Sequence, residues 1–523
     1  DTVRRGIYKS GNDFTKTSHH ISVTPSDASC EVCHNRSNHT QEGDPRVRLY
    51  DEDSGAAIIY DGTGGSLEGF CISCHDSDAA SRLGSNSDTP FKDSSDNTTP
   101  PDIGWDSTAS AHSALTDNCF GCHGDSGGTG TTLQPVINAH GSDSPKLLRY
   151  TGWLPDDESG FCYNCHGTPP ANGAEEDIQS VFSRAYPHED RNCADCHNKH
   201  QLTQTNRIKG ASGVEPYNGG FREVKITDSS EEYKVCFKCH SSYTTQPPSS
   251  AYRDTDFTDF RLDDGTPLPE GDKAVEFDPS NSSYHPVEAP GKNQSANLDA
   301  QIQWAGLSTS SVIKCTDCHN NNILGESGTA GRANNYTGSE PLGPHGSTNR
   351  WILRANYKRD LTFPRSTTFN ENDFALCFSC HDKDKLLGTV WWEDGGTAQT
   401  NFWNQGHGNY SNLHWVHLIG YGQGYICADC HYNVHSNQQA NNTQYYDEYT
   451  GLSSYTPPQD VPTGLVNFAP HVMRFYYNWT YKPVWGYNKY TKRRSCLLKC
   501  HRADGSDTYM NYTYTGPPSG DYQ

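Results

Sequence analysis

The chain has 523 residues, a formal charge of −22 and a hydrophobic fraction of 33%, well below the ~45–50% of ordinary soluble domains. That acidity excludes nucleic acid and anionic membrane surfaces as partners, and no apolar run approaches the ~20 residues of a membrane-spanning helix. With 48 Gly and 29 Pro among abundant Asn, Ser, Thr and Asp, long helices and sheets around an apolar core are excluded as well.

Residues 1–29 form an arm without cysteine that carries the adjacent pair His19 and His20. From Cys30 onward a single pattern recurs. All 20 cysteines fall in it. Between 30 and 240 there are six Cys-x-x-Cys-His motifs: Cys30, Cys33, His34; Cys71, Cys74, His75; Cys119, Cys122, His123; Cys162, Cys165, His166; Cys193, Cys196, His197; and Cys236, Cys239, His240. Their histidines are 41, 48, 43, 31 and 43 residues apart, too close for independent domains between them. Residues 241–314 read as a motif-free, loop-rich insertion with a few short strands. Four motifs then occupy 315–523: Cys315, Cys318, His319; Cys377, Cys380, His381; Cys427, Cys430, His431; and a departure, Cys496, Cys500, His501, with one residue more between the thiols. Before the last motif lies an aromatic block from Tyr445 to Tyr490, read either as packing around flat cofactors or as a subunit interface, where Tyr and Trp are enriched. Ten Asn-x-Ser/Thr sequons, among them Asn281 and Asn293, are candidate glycosylation sites.

A disulfide framework, zinc knuckles or a thioredoxin-like pair would not require a histidine directly after the second cysteine every time. Covalent haem does: two thiols form thioethers to the porphyrin and the histidine ligates the iron. Ten haem c groups are therefore expected, the tenth on a looser turn. The expected fold is mostly irregular coil with short helices and few short strands, wrapped around a stacked haem chain. Haem c is attached outside the cytoplasm, so the protein is expected at the cell surface or secreted, its signal peptide removed.

A closed iron needs a sixth ligand. Ten of the 24 histidines are proximal, which leaves fourteen, against two methionines. Methionine raises haem potential relative to histidine, so this surplus points to bis-histidine, low-potential haems. The candidates are His20 (or its neighbour His19), His112, His140, His188, His200, His285, His345, His414, His417, His435 and His471. His39 and His407 have the weakest surroundings. His188 and His200 flank the Cys193 motif, and at least one of them is expected to serve a different haem.

Motif density and the segments Lys314–Asn320, Gly343–Ser347, Ala375–Asp382 and Cys427–Ser436 resemble the large extracellular multihaem cytochromes of metal-respiring prokaryotes. The resemblance implies sixth ligands just outside a motif or in His-Pro and Pro-His-Gly turns, which supports His188, His200, His285, His345 and His435. Some members of that group polymerise into cytochrome nanowires in which a histidine of one subunit serves a haem of the next. The expectations that follow are electron transfer rather than catalysis, a homo-polymer joined through haem-proximal ends, and redox proteins or extracellular minerals as partners. An oxidoreductase acting on nitrite, hydroxylamine or sulfur oxyanions at one open haem is the alternative.

Overall fold

A computed structural model describes residues between 13 and 515; the stretches 35–46, 76–110, 113–117, 125–138, 245–271, 323–340, 360–367, 389–399, 405–410, 438–443, 455–463 and 498–511, with several shorter ones, lie outside the description. His39, His407, His471, Cys500 and His501 fall in those stretches. The described backbone is mostly coil with short helices and short strands. It divides into two compact units. One comprises Asp1–Ser180, Asp190–Ser212 and Lys225–Ser229, the other Val181–Glu189, Gly213–Val224 and Ser230–Gln523. Five motifs lie in each, with Cys236–His240 in the second.

The motifs themselves nucleate the helices. Gly65–His75, Ser159–His166 and Tyr233–His240 each end on a proximal histidine. In the other regular motifs the segment is a single turn closed by the histidine N–H donating to the first cysteine's carbonyl, 2.9 Å for His197 to Cys193 and 2.8 Å for His319 to Cys315. Residues i, i+3 and i+4 share a helix face, so this turn presents both thiols and the imidazole to one side. In the three Cys-x-Asp-Cys-His motifs the aspartate reaches back to the N–H before the first cysteine: Asp195 to Asn192 at 3.1 Å, Asp317 to Lys314 and Asp429 to Ile426 at 2.9 Å. That is half of a capping box, and it pins turns too short to stand alone.

Apolar packing is scattered in small clusters. Val214, Phe237, Ala274, Phe277 and Val287 form one, and Phe374, Phe378, Leu387, Leu418, Ile426 and Ala428 another. The expected insertion at 241–314 is only partly separate: its helix Lys273–Glu276 and the turn around His285 pack within the second unit. Asn281 is buried, with its amide bonded to the carbonyls of Val275 and Glu276 at 2.7 and 2.8 Å, so this sequon is not a glycan acceptor.

Aromatic residues near the C-terminus build a five-stranded sheet in the order Ser453–Ser454, Gln444–Asp447, Val484–Asn488, Arg493–Leu497, Tyr512–Thr515. Gln444–Asp447 and Val484–Asn488 run parallel, the other neighbours antiparallel. Tyr445 and Trp485 are buried against each other, ring centres 6.1 Å apart. Here the structure departs from the expected looser turn: Cys496 lies within an extended strand, opposite Trp485 and Tyr512.

A local architecture occurs twice. The segments 140–149 (His-Gly-Ser-Asp-Ser-Pro-Lys-Leu-Leu-Arg) and 345–354 (His-Gly-Ser-Thr-Asn-Arg-Trp-Ile-Leu-Arg) match at His, Gly, Ser, Leu and Arg. In the first, Gly141–Ser142 pairs with Ser18–His19; in the second, Gly346–Ser347 pairs with Tyr186–Pro187 in the same register. Both then turn through two left-handed residues, Lys146 and Leu147 at φ 56° and 54°, Trp351 and Ile352 at φ 61° and 55°. Both return to a motif: Arg149 N–H donates to Cys122 at 2.7 Å and Arg354 N–H to Cys318 at 2.9 Å. The register makes His20 the counterpart of His188, and His19 the counterpart of Pro187.

Each short strand depends on its glycine. A Cβ on Gly141 would run into the Asp13 carbonyl, and one on Gly346 into the Val181 carbonyl. G346A is expected to lower stability by about 1–3 kcal/mol through overpacking. G69A, in helix Gly65–His75 with nothing within 4 Å, should instead stabilise by roughly 0.5–1 kcal/mol. Thermal unfolding of the two variants checks both, and equal effects would contradict the packing.

Candidate functional site

The motif histidines are held by the backbone. Nδ1 of His123 bonds to the Lys146 carbonyl at 3.1 Å, His166 to Glu176 at 3.1 Å, His197 to Arg207 at 2.8 Å, His319 to Trp351 at 2.8 Å and His431 to Leu465 at 3.1 Å. A carbonyl only accepts, so Nδ1 carries the proton and Nε2 is the nitrogen left to bind a metal. The left-handed backbone at Lys146 and Trp351 serves this purpose, because those two carbonyls are the acceptors. Strain of about 1–3 kcal/mol per such residue is typical of sites where backbone geometry matters.

Opposite these rings stand other histidines. Ring centres are 6.0 Å apart for His34 and His140, 6.1 Å for His75 and His20, 6.4 Å for His166 and His112, and 6.3 Å for His123 and His200 in the first unit. In the second unit they are 6.3 Å for His240 and His188 and 6.0 Å for His319 and His435. The gap has a chemical meaning: metal–imidazole bonds of about 2 Å on both sides, plus ~1 Å from ring centre to Nε2, separate facing centres by roughly 6 Å. Each pair therefore leaves room for one iron. Neither His188 nor His200 faces the motif it flanks.

The facing histidines are also oriented through Nδ1, by the partners that fix tautomers at metal sites. His20 bonds to the Ala139 carbonyl at 2.6 Å, His112 to Lys199 at 3.3 Å and His417 to Leu413 at 2.6 Å, and His285 bonds to Val434. His414 meets the Thr400 hydroxyl at 2.9 Å. Two have carboxylates instead: His140 has Asp13 at 3.6 Å, and His435 has Glu276 at 3.2 Å. Burial pushes the Glu276 carboxyl up, but the ammonium of Lys273 and the bond to His435 outweigh it and hold the group down at about 2. His345 lies 5.4 Å from Phe182. The Nδ1 of His19 has no hydrogen-bond partner.

Thiols of successive motifs are neighbours, and the contacts alternate. First cysteines hydrogen-bond between the second and third motifs, Cys71 with Cys119, and between the fourth and fifth, Cys162 with Cys193. Between the third and fourth the second cysteines, Cys122 and Cys165, interact. The second unit repeats the order: Cys236 with Cys315, Cys318 with Cys380, Cys377 with Cys427. None of the described cysteines is in a disulfide. Among the described residues no three His, Cys, Asp or Glu converge to hold a metal ion by themselves.

Two thiols on one side, an imidazole beneath and a second imidazole about 6 Å away fit a covalently held porphyrin. Comparison with known proteins points the same way. Residues 63–208 match the family model for outer membrane cytochrome MtrC/MtrF-like proteins, domains II/IV. Four motifs, from Cys71–His75 to Cys193–His197, lie inside the matched stretch. The match supports an extracellular multihaem cytochrome carrying c-type haem and transferring electrons. Comparison with curated proteins and with solved structures returns no significant match. Among the described residues no helix is long and apolar enough to cross a membrane.

Sequence reasoning named the histidines but not their pairing. It also missed Asp13, Glu276 and the carbonyl acceptors, although the repeated His-Gly-Ser…Leu-Arg segment was a usable signal for the latter. Burial, then facing imidazoles, lowers His200 and His414 to about 3 and His319 and His381 to about 4, against 6.5 for a free histidine. Such groups stay neutral in the fold while the unfolded chain takes up protons. Their stability contribution is complete above pH 6.5 and is lost as pH falls toward 3–4. Denaturant unfolding should show a falling midpoint across that window, and a flat profile there would contradict the buried, neutral rings.

Proposed function

We propose that this chain conducts electrons outside the cell through a row of ten covalent haems, each iron closed by two histidines, and that copies of the chain join into a filament. The observation that carries the reading is the set of six histidine pairs with ring centres 6.0–6.4 Å apart. Haem c, when bound, supplies a one-electron couple whose potential depends on its ligands and surroundings. The chain does the rest. The twenty cysteines hold the porphyrins, the motif histidines bind from one side, and His20, His112, His140, His188, His200 and His435 close the other. His285 and His414, beside His381 and His431 in the second unit, fill the same role, and His345, His417 and His471 are the candidates for the two irons left over, those at His197 and His501.

The alternating thiol contacts support a row within each unit, since neighbouring motifs share an edge first through one cysteine and then through the other. Closing both faces of every iron leaves no position for a substrate, which favours conduction over an oxidoreductase acting on nitrite, hydroxylamine or sulfur oxyanions. Minerals or redox proteins are the acceptors this reading implies.

Filament formation rests on the arm. His20 faces His75 of its own chain, so the arm histidine left for a neighbouring subunit is His19. Loss of one sixth ligand in H20A should convert about one iron in ten to a high-spin signal, while H19A should abolish the filaments seen by electron microscopy and leave high-spin the one iron that His19 of a neighbouring copy closes. An H20A spectrum without a high-spin component would refute the assignment of His20. Filaments formed by H19A would refute the link through His19.

A further inference from the structure

The internal repeat provides two sites of the same build with different charge beside them. His200 and His435 both follow a Cys-Ala-Asp-Cys-His motif and both anchor their backbone N–H on a preceding asparagine, Asn198 at 3.0 Å and Asn433 at 3.1 Å. They face equivalent motif histidines, His123 and His319. Their other neighbours differ. Next to His200 in the chain is Lys199, whose ammonium opposes a proton on the ring. Oε2 of Glu276 lies 3.2 Å from Nδ1 of His435, on a side chain only 3% exposed.

We propose that Glu276 is a positioning residue that lowers the potential of the haem attached at Cys315–His319 below that of its counterpart at Cys119–His123. This rests on the bis-histidine reading above. A carboxylate accepting from Nδ1–H gives the ligand imidazolate character, and partners at this distance tune a metal through its ligand. The ligand then donates more strongly and stabilises the ferric iron. The carboxylate is itself fixed. Lys273 Nζ meets the same Oε2 at 2.9 Å, and the Asn433 amide donates to Oε1 at 3.1 Å. His319, on the other face, bonds to a neutral carbonyl. An electron on the row therefore meets a step at this haem, placed there by one side chain.

The test is a spectroelectrochemical titration of the full chain with all its haems. In E276Q a single one-electron component should move upward, so that the reduced-to-oxidised ratio of that haem at fixed potential rises roughly tenfold, ~59 mV for a one-electron couple. K273M removes the competing cation from Oε2 and should move the same component downward. Haem stoichiometry and a low-spin spectrum establish that both variants are folded. Unchanged potentials in two variants with all irons low-spin would overturn the inference and leave the bis-histidine reading intact. A high-spin iron in the unsubstituted protein that responds to neither substitution would instead overturn that reading.

Discussion

Everything in this structure depends on holding two imidazoles about 6 Å apart, ring to ring. A short polypeptide segment does not do that alone, because a two-residue strand or a single helical turn has too few contacts to stay fixed. The chain meets the requirement with local devices instead: the closed Cys-x-x-Cys-His turn, the aspartate of the capping box, and above all the backbone carbonyls that receive Nδ1–H from rings such as His123, His197 and His319. That last bond sets the tautomer and aims Nε2. The left-handed turns at Lys146–Leu147 and Trp351–Ile352 cost conformational energy, and they are tolerated because they deliver that carbonyl.

This economy explains the composition. A hydrophobic fraction of 33% is too small for a conventional core, and the apolar residues present gather in clusters such as Val214, Phe237, Ala274, Phe277 and Val287. Flat apolar porphyrins held by two thiols each would supply the missing interior. The polypeptide is then free to be polar, acidic and rich in turns. The largest sheet among the described residues, near the C-terminus, carries Cys496 in a strand, so the departure from regular motif spacing coincides with a change in local architecture.

Much of the site was legible because covalent chemistry leaves a strict signature. A histidine after every cysteine pair announces its purpose, and the surplus of histidine over methionine points to the ligands. Pairing was not legible. His200 follows the Cys193 motif yet faces His123, and His188 precedes that motif yet faces His240. Sequence proximity misleads here because a helical turn presents its own face to its own haem and projects flanking residues elsewhere. The choice between His19 and His20 became readable only through strand register, which makes His19 the counterpart of Pro187 and His20 the counterpart of His188. Glu276 was invisible for a related reason: it stands in a stretch that reads as loop, far in sequence from the His435 it meets.

Conduction and catalysis differ at one point, whether any iron keeps an open face. Electron paramagnetic resonance of the fully oxidised protein, integrated against covalently bound haem, measures this directly. The account predicts that all irons appear as low-spin ferric haem and that added cyanide or nitrite leaves the spectrum unchanged. A stoichiometric high-spin signal that responds to either ligand would contradict it.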